Sequence, residues 1–149
     1  MAGVSELYQE ILLEHNSKPR NFRQIDQPTQ SAQGYNPLCG DDITVFLKVA
    51  DGVIADVAFR GTGCAISRAS ASMMTESVKG QTLGKASELF KEFHRMMTEP
   101  DADLDYDTLG DLACLAGVIE FPTRIKCAIL AWHTLRAAME DRGDTVTTE

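Results

Sequence analysis

Two runs of alternating residues, joined by a turn-forming pair and followed at once by a change of period, constrain this chain more than any other feature. Ile43, Val45, Leu47 and Val49 alternate with more polar neighbours, Asp51-Gly52 intervenes, and Val53, Ala55, Val57 and Phe59 alternate again. Successive side chains of a strand point to opposite faces, so both runs predict strands with one buried face, and Asp-Gly predicts a two-residue hairpin turn. From Ala65 the spacing becomes helical. Small residues Ala65, Ser67, Ala69, Ser70, Ala71 and Ser72 permit close packing ahead of Met73, Met74 and Val78, and Gly80 ends the run.

Other elements are placed around this centre. Val4, Leu7, Ile11 and Leu12, with Tyr8 beside them, predict a first helix capped at Ser5 and running to about Asn16, where Lys18-Pro19-Arg20 stops it. A long connection follows, with a short strand around Ala32 to Tyr35. Leu83 to Met97 is amphipathic, carrying Leu89, Phe90, Phe93 and Met97 on one side. Glu99 to Asp107 is an acidic loop. It is not a calcium loop: with Asp101 at position one, Tyr106 stands where Gly is required and Leu112 where Glu is required. Leu109, Leu112, Leu115 and Val118 predict a short helix, and Cys127 to about Asp141 a longer one with Ile129, Leu130, Trp132, Leu135 and Met139. Residues 143–149 read as a frayed tail.

With 149 residues and 44% apolar content, the chain suits one compact domain over residues 1–149. Its 14 basic and 22 acidic residues give a net charge of −8, which opposes binding to nucleic acid or an anionic membrane. No basic-then-apolar leader is seen at the N-terminus, and no apolar run approaches the ~20 residues of a membrane span. A cytoplasmic location is expected. In that reducing compartment four cysteines read as metal-binding or reactive before they read as disulfides.

Three of the four sit in separate motifs. Cys39 lies in Asn36-Pro37-Leu38-Cys39-Gly40-Asp41, Cys64 in Gly61-Thr62-Gly63-Cys64-Ala65-Ile66-Ser67, and Cys127 in Phe121-Pro122-Thr123-Arg124-Ile125-Lys126-Cys127. Cys64 and Cys127 are each placed where a helix is predicted to begin, and a helix N-terminus favours thiolate over thiol. Gly40 lets the backbone bend between Cys39 and Asp41, so that both turn toward one ion. Three thiolates and a carboxylate carry about −4, and this soft, closed set suits Zn²⁺ or an iron–sulfur unit rather than Mg²⁺ or Ca²⁺. Arg124, Lys126, Arg60 and Arg68 are near enough in sequence to offset the remaining charge. Cys114, inside Leu112-Ala113-Cys114-Leu115-Ala116, reads as core, and His15, His94 and His133 as surface or capping residues. No Ser-His-Asp ordering, phosphate loop or His-Glu-x-x-His motif is present.

These motifs resemble the U-type iron–sulfur cluster assembly proteins, and within them the SufU branch. The resemblance runs nearly the whole chain in order, through the three cysteine motifs, Ala69-Ser70 and Ser72, Ala116-Gly117-Val118 and Leu130-Ala131-Trp132. It implies an α+β fold, with a small antiparallel sheet of about three strands packed by about five helices and the cysteines at one end. It also implies that Cys39, Asp41, Cys64 and Cys127 bind zinc, that Cys39 accepts sulfur from a cysteine desulfurase of SufS type, and that Arg124 and Lys126 are supporting charges. Downstream iron–sulfur assembly proteins would be the further partners.

Three departures separate the chain from the related IscU branch. Lys126 stands where that branch has a histidine, Glu120-Phe121-Pro122-Thr123-Arg124 replaces its Leu-Pro-Pro-Val-Lys segment, and the interval between Cys64 and Cys127 is longer, the excess falling around the acidic loop. They favour a sulfurtransferase-like relay. The alternatives are a scaffold on which an iron–sulfur cluster is assembled, with iron or a cluster in place of zinc, and a structural zinc domain for protein contacts.

Overall fold

The computed structural model describes residues 2–99, 101–141 and 145–147, and side chains from Gln9 onward. The order of elements is helix α1 (Ala2–Ser17), strands β1 (Gln30–Asn36), β2 (Asp41–Ala50) and β3 (Val53–Thr62), helices α2 (Ala65–Val78), α3 (Leu83–Thr98) and α4 (Tyr106–Leu109), a 3-10 helix Gly110–Glu120, helix α5 (Pro122–Met139) and strand β4 (Val146–Thr147). The fold is α+β: a sheet in the order β3-β2-β1-β4 with the helices packed on it.

The alternation read from sequence is the alternation of burial. Asp41, Ile43, Val45 and Leu47 of β2 are buried and their neighbours half-buried, and β1 buries Ala32, Gly34 and Asn36. The hairpin pairs Val45 with Phe59 and Leu47 with Val57, and its register shifts once, at Lys48 and Val49. Helix α5 lies along the inner face of β1. Gln30 Nε2 bonds the carbonyls of Ala138 and Met139 at 2.9 and 3.0 Å, and a Cβ on Gly34 would stand 2.0 Å from Thr134 Oγ1 and 3.0 Å from Leu130 Cδ1. Only glycine fits between strand and helix there.

The core is completed by α2 and α3. Ser67, Ala69, Ser70, Ala71 and Ser72 are all buried, and their small size brings α2 against α1 and α5. Trp132 of α5 stacks on Phe93 of α3 with ring centroids 4.7 Å apart. Burying each such side chain contributes about 1.5–3 kcal/mol.

Several expectations are corrected. Helix α1 already contains Ser5, so Ser5 is not its cap, while the side chains of Val4, Leu7 and Tyr8 lie outside the described residues. The three expected antiparallel strands are joined by a short fourth, Val146 and Thr147 pairing in parallel with Gly34 and Tyr35 where the tail was expected to fray; residues 142–144 and 148–149 lie outside the described residues. The acidic loop closes early: Asp105 caps α4, accepting from Thr108 N at 3.2 Å. The short helix expected after it is present, as a 3-10 helix of 11 residues. His15 is buried, its Nδ1 2.7 Å from Ser72 Oγ, and His94 and His133 pack on Phe90 instead of capping helices.

Candidate metal centre

Four pieces of backbone meet at one end of the sheet. The turn Pro37–Gly40 between β1 and β2 carries Cys39, the start of β2 carries Asp41, the junction of β3 and α2 carries Cys64, and the first turns of α5 carry Cys127. Ligand atoms of Cys39, Asp41 and Cys127 lie within 4.8 Å of one another. Cys127 and Asp41 are fully buried, and Cys39 is partly exposed. Leu38 beside it is 58% exposed, so the turn presents Cys39 to the outside.

Asp41 arrives there because it is in phase with Ile43, Val45 and Leu47, the first inward-facing position of β2. Its carboxylate is held at both oxygens: Cys64 N–H donates to Oδ1 at 2.9 Å, and Asn36 Nδ2 donates to Oδ2 at 3.1 Å. No ion pair to Asp41 exists among the described residues. A carboxylate at that depth is costly unless a positive charge or metal ion meets it.

Cys64 is not in the tightest group of three, but it adjoins it. It is the N-cap of α2, its Sγ accepting from Ser67 N at 3.5 Å. Gly63 leaves room for this approach, since a Cβ there would stand 2.7 Å from Asp41 Oδ1 and 3.2 Å from Ser67 Oγ. Cys127 differs from expectation. It sits more than a turn inside α5 from Pro122, where its thiol reaches Thr123 O at 3.7 Å, so no free helix N–H group favours its thiolate. Burial first, then hydrogen bonding with Asp41, Cys39 and Cys64, pushes this thiol far above its ordinary pKa.

Arg124 is exposed on the first turn of α5 and faces the thiols; charge on Cys64, then hydrogen bonding to Cys127, raises the pKa of its guanidinium. Lys126 is half-buried and makes no hydrogen bond or ion pair with the cysteines among the described residues. Cys114 is core as expected, 3% exposed, with its Sγ 3.8 Å from Met73 Sδ. Sequence reasoning passed over Asn36 and Ser67, both fully buried. The signal for Asn36 was available in the period of two, which puts it on the inward row with Ala32 and Gly34.

The donor set fits a soft divalent ion: up to three sulfurs and one carboxylate, with a buried negative charge that no side chain offsets by an ion pair among the described residues.

A family model described as the NifU-like N terminal domain matches residues 7–128. The zinc-dependent sulfurtransferase SufU of Bacillus subtilis (strain 168) is 39% identical over 145 residues, covering 96% of this chain and 97% of its own. The iron-sulfur cluster assembly scaffold protein IscU of Streptococcus pyogenes serotype M1 is 37% identical over 140 residues, covering 94% and 87%. Among solved structures, the putative iron-sulfur cluster assembly scaffold protein for the SUF system from Fervidobacterium islandicum AW-1 superimposes with a TM-score of 0.84 at 32% identity, covering 92% of this chain and 99% of that one. With a turn, two strand ends and a helix converging on one cluster of sulfur and carboxylate, and with relatives matched over nearly their full length, the chain belongs to the NifU-like N-terminal domain family, of the IscU and SufU type.

Proposed function

We propose that this protein works in iron–sulfur cluster assembly as a sulfur acceptor: Cys39 takes sulfur from the persulfide of a cysteine desulfurase of SufS type and relays it onward, at a centre where Cys39, Asp41, Cys64 and Cys127 hold zinc. The observation that carries this reading is the convergence of Cys39, Asp41 and Cys127 within 4.8 Å around a buried carboxylate that has no ion-paired side chain among the described residues. The likeness to a protein named a zinc-dependent sulfurtransferase supports it.

In the transfer, the Cys39 thiolate attacks the outer sulfur of the partner's persulfide. A sulfur–sulfur bond forms on Cys39, the partner's sulfur–sulfur bond breaks, and its thiolate leaves with the electron pair. No external oxidant or reductant is required. Bound zinc supplies the positive charge that keeps thiols deprotonated near neutral pH. The chain's own residues divide the work. Asp41, Cys64 and Cys127 are anchored in β2, at the α2 cap and in α5, whereas Cys39 rides on a turn with Gly40 at φ 73° behind it; Cys39 and Cys64 are both partly exposed, so mobility of the turn and not exposure sets Cys39 apart. Arg124 places a positive charge beside Cys64 and Cys127.

Incubation with a persulfidated desulfurase should add one sulfur to the parent, and Cys39→Ser should fall to background by intact mass. Sulfur uptake by Cys39→Ser at the parent's level would refute the assignment. A second reading, a scaffold on which a cluster is assembled, draws support from the relatives named IscU scaffolds. Anaerobic loading with iron and sulfide separates the two: a cluster that persists on the isolated chain and passes to an apo-acceptor favours the scaffold, and retained zinc with unstable iron favours the relay. No helix among the described residues is long and apolar enough to cross a membrane. Work in the cytoplasm is part of the proposal.

A further inference from the structure

Asn36 ends β1 on its inward row and is completely buried. Its Nδ2 donates to Asp41 Oδ2 at 3.1 Å and to Cys127 Sγ at 3.6 Å, while its Oδ1 has no partner. A buried amide normally uses both ends. Here the acceptor is left unpaired so that the donor can serve a carboxylate and a sulfur, and turning the amide over would set Oδ1 against those same two acceptors.

We propose that Asn36 is a positioning residue of the metal centre: without ligating, it fastens Asp41 of β2 to Cys127 of α5 and fixes the orientation of both. This rests on the reading of Cys39, Asp41, Cys64 and Cys127 as metal ligands. Two arrangements support it. First, the Asp41 carboxylate is fixed by one bond from each side, Cys64 N–H from the β3–α2 junction and Asn36 from β1. Its plane is therefore set before any ion arrives. Second, N–H donors fall unequally on the three thiols. Cys64 Sγ accepts from Ser67 N at 3.5 Å and Cys127 Sγ from Asn36 at 3.6 Å, while Cys39 accepts from no N–H among the described residues. An N–H bond to sulfur restrains the side chain and draws charge from it. Asn36 thereby helps to decide which thiol stays and which is free to react.

The experiment compares the parent with Asn36→Ala and Asn36→Leu, the second keeping the volume without the donor. Zinc affinity is measured by competition with a chelating indicator, and alkylation of the zinc-loaded proteins by iodoacetamide is mapped by mass. Loss of an outer partner of metal ligands should weaken zinc binding by about 10–100-fold, and alkylation should spread from Cys39 to Cys127. Zinc affinity equal to the parent's with alkylation still confined to Cys39 overturns the role of Asn36 and leaves the ligand reading standing; a parent that binds no zinc sinks the ligand reading itself. Should both variants fail to fold, the parent decides alone. With isotopically labelled cadmium in place of zinc, scalar coupling from the metal to an Asn36 side-chain amide proton, carried across the Cys127 sulfur, is expected in the NMR spectrum, and its absence overturns the proposal.

Discussion

Cys127 and Cys114 are sunk to nearly the same depth, 0% and 3% exposed, in helical segments that adjoin in the chain, yet their surroundings have nothing in common. Cys114 lies against Met73 within the hydrophobic core, and burial first, then the charge of Asp111, pushes its thiol up to about 12. Cys127 lies among Asn36, Asp41, Cys39 and Cys64. Depth alone raises both thiols and distinguishes neither. The difference is in what each would do if a cation arrived: one is surrounded by groups that would bind it too, and the other by hydrocarbon and a thioether. Buried cysteine is ordinary core material until polar atoms converge on it.

That contrast can be broken most directly at the two sulfurs. Cys127→Ser should lose zinc by more than about 100-fold, as expected when one ligand of a closed site is replaced by a poor one, whereas Cys114→Ser should retain it and lose only about 1–3 kcal/mol of stability to its unpaired buried hydroxyl. Elemental analysis after desalting and urea titration of both proteins test this; equal zinc loss would erase the distinction. A smaller effect is expected from Gly63→Ala, which alters no proposed ligand. Its methyl would press on Asp41 Oδ1, and zinc affinity measured by chelator competition should fall about 10-fold, in the range for disturbed outer contacts.

The smallest effect concerns protons. His15 has its folded pKa lowered, mainly by burial and then by Arg20, against the opposing charges of Glu76, Glu14 and Asp111. The unfolded chain therefore binds this proton more readily. Stability from His15 is fully present above the unfolded pKa of about 6.5 and is lost as pH falls from there through the lower folded value. Cys114, titrating at about 12, cannot contribute in that window. Metal-free protein should thus be less stable at about pH 5 than at about pH 7.5, and His15→Gln should flatten that dependence; an unchanged slope in chemical denaturation would place its origin elsewhere.

Much of this was legible in the chain. The hairpin, α2, α3 and α5 follow from periods of two and of about 3.6 residues, and Cys39, Asp41 and Cys64 stand where their motifs put them. What was misread has physical reasons. Strand β4 is two residues long and is held by tertiary contacts, its pairing with β1 and the packing of Val146 on the core, so no local period announces it. Leu109, Leu112, Leu115 and Val118 recur every three residues, the repeat of a 3-10 helix, so the short helix they predict is present and its type follows from that step. The position of Cys127 inside α5 depends on Pro122 serving as the first residue of the helix, which moves the start ahead of the apolar run. Convergence of the three motifs is a tertiary fact. No spacing along a chain encodes it without the sheet that brings β1, β2 and β3 side by side.

Gly34 sits two residues before Asn36 on the inner row of β1, against Thr134 and Leu130, which lie within about two turns of Cys127 along α5. The missing side chain acts as the spacer of the whole assembly. Strand and helix close to the distance that the absent Cβ allows, and that distance sets the gap across which Asn36 reaches Cys127. The width of the site is therefore gauged in the hydrophobic interior, by a residue that never meets metal, sulfur or solvent.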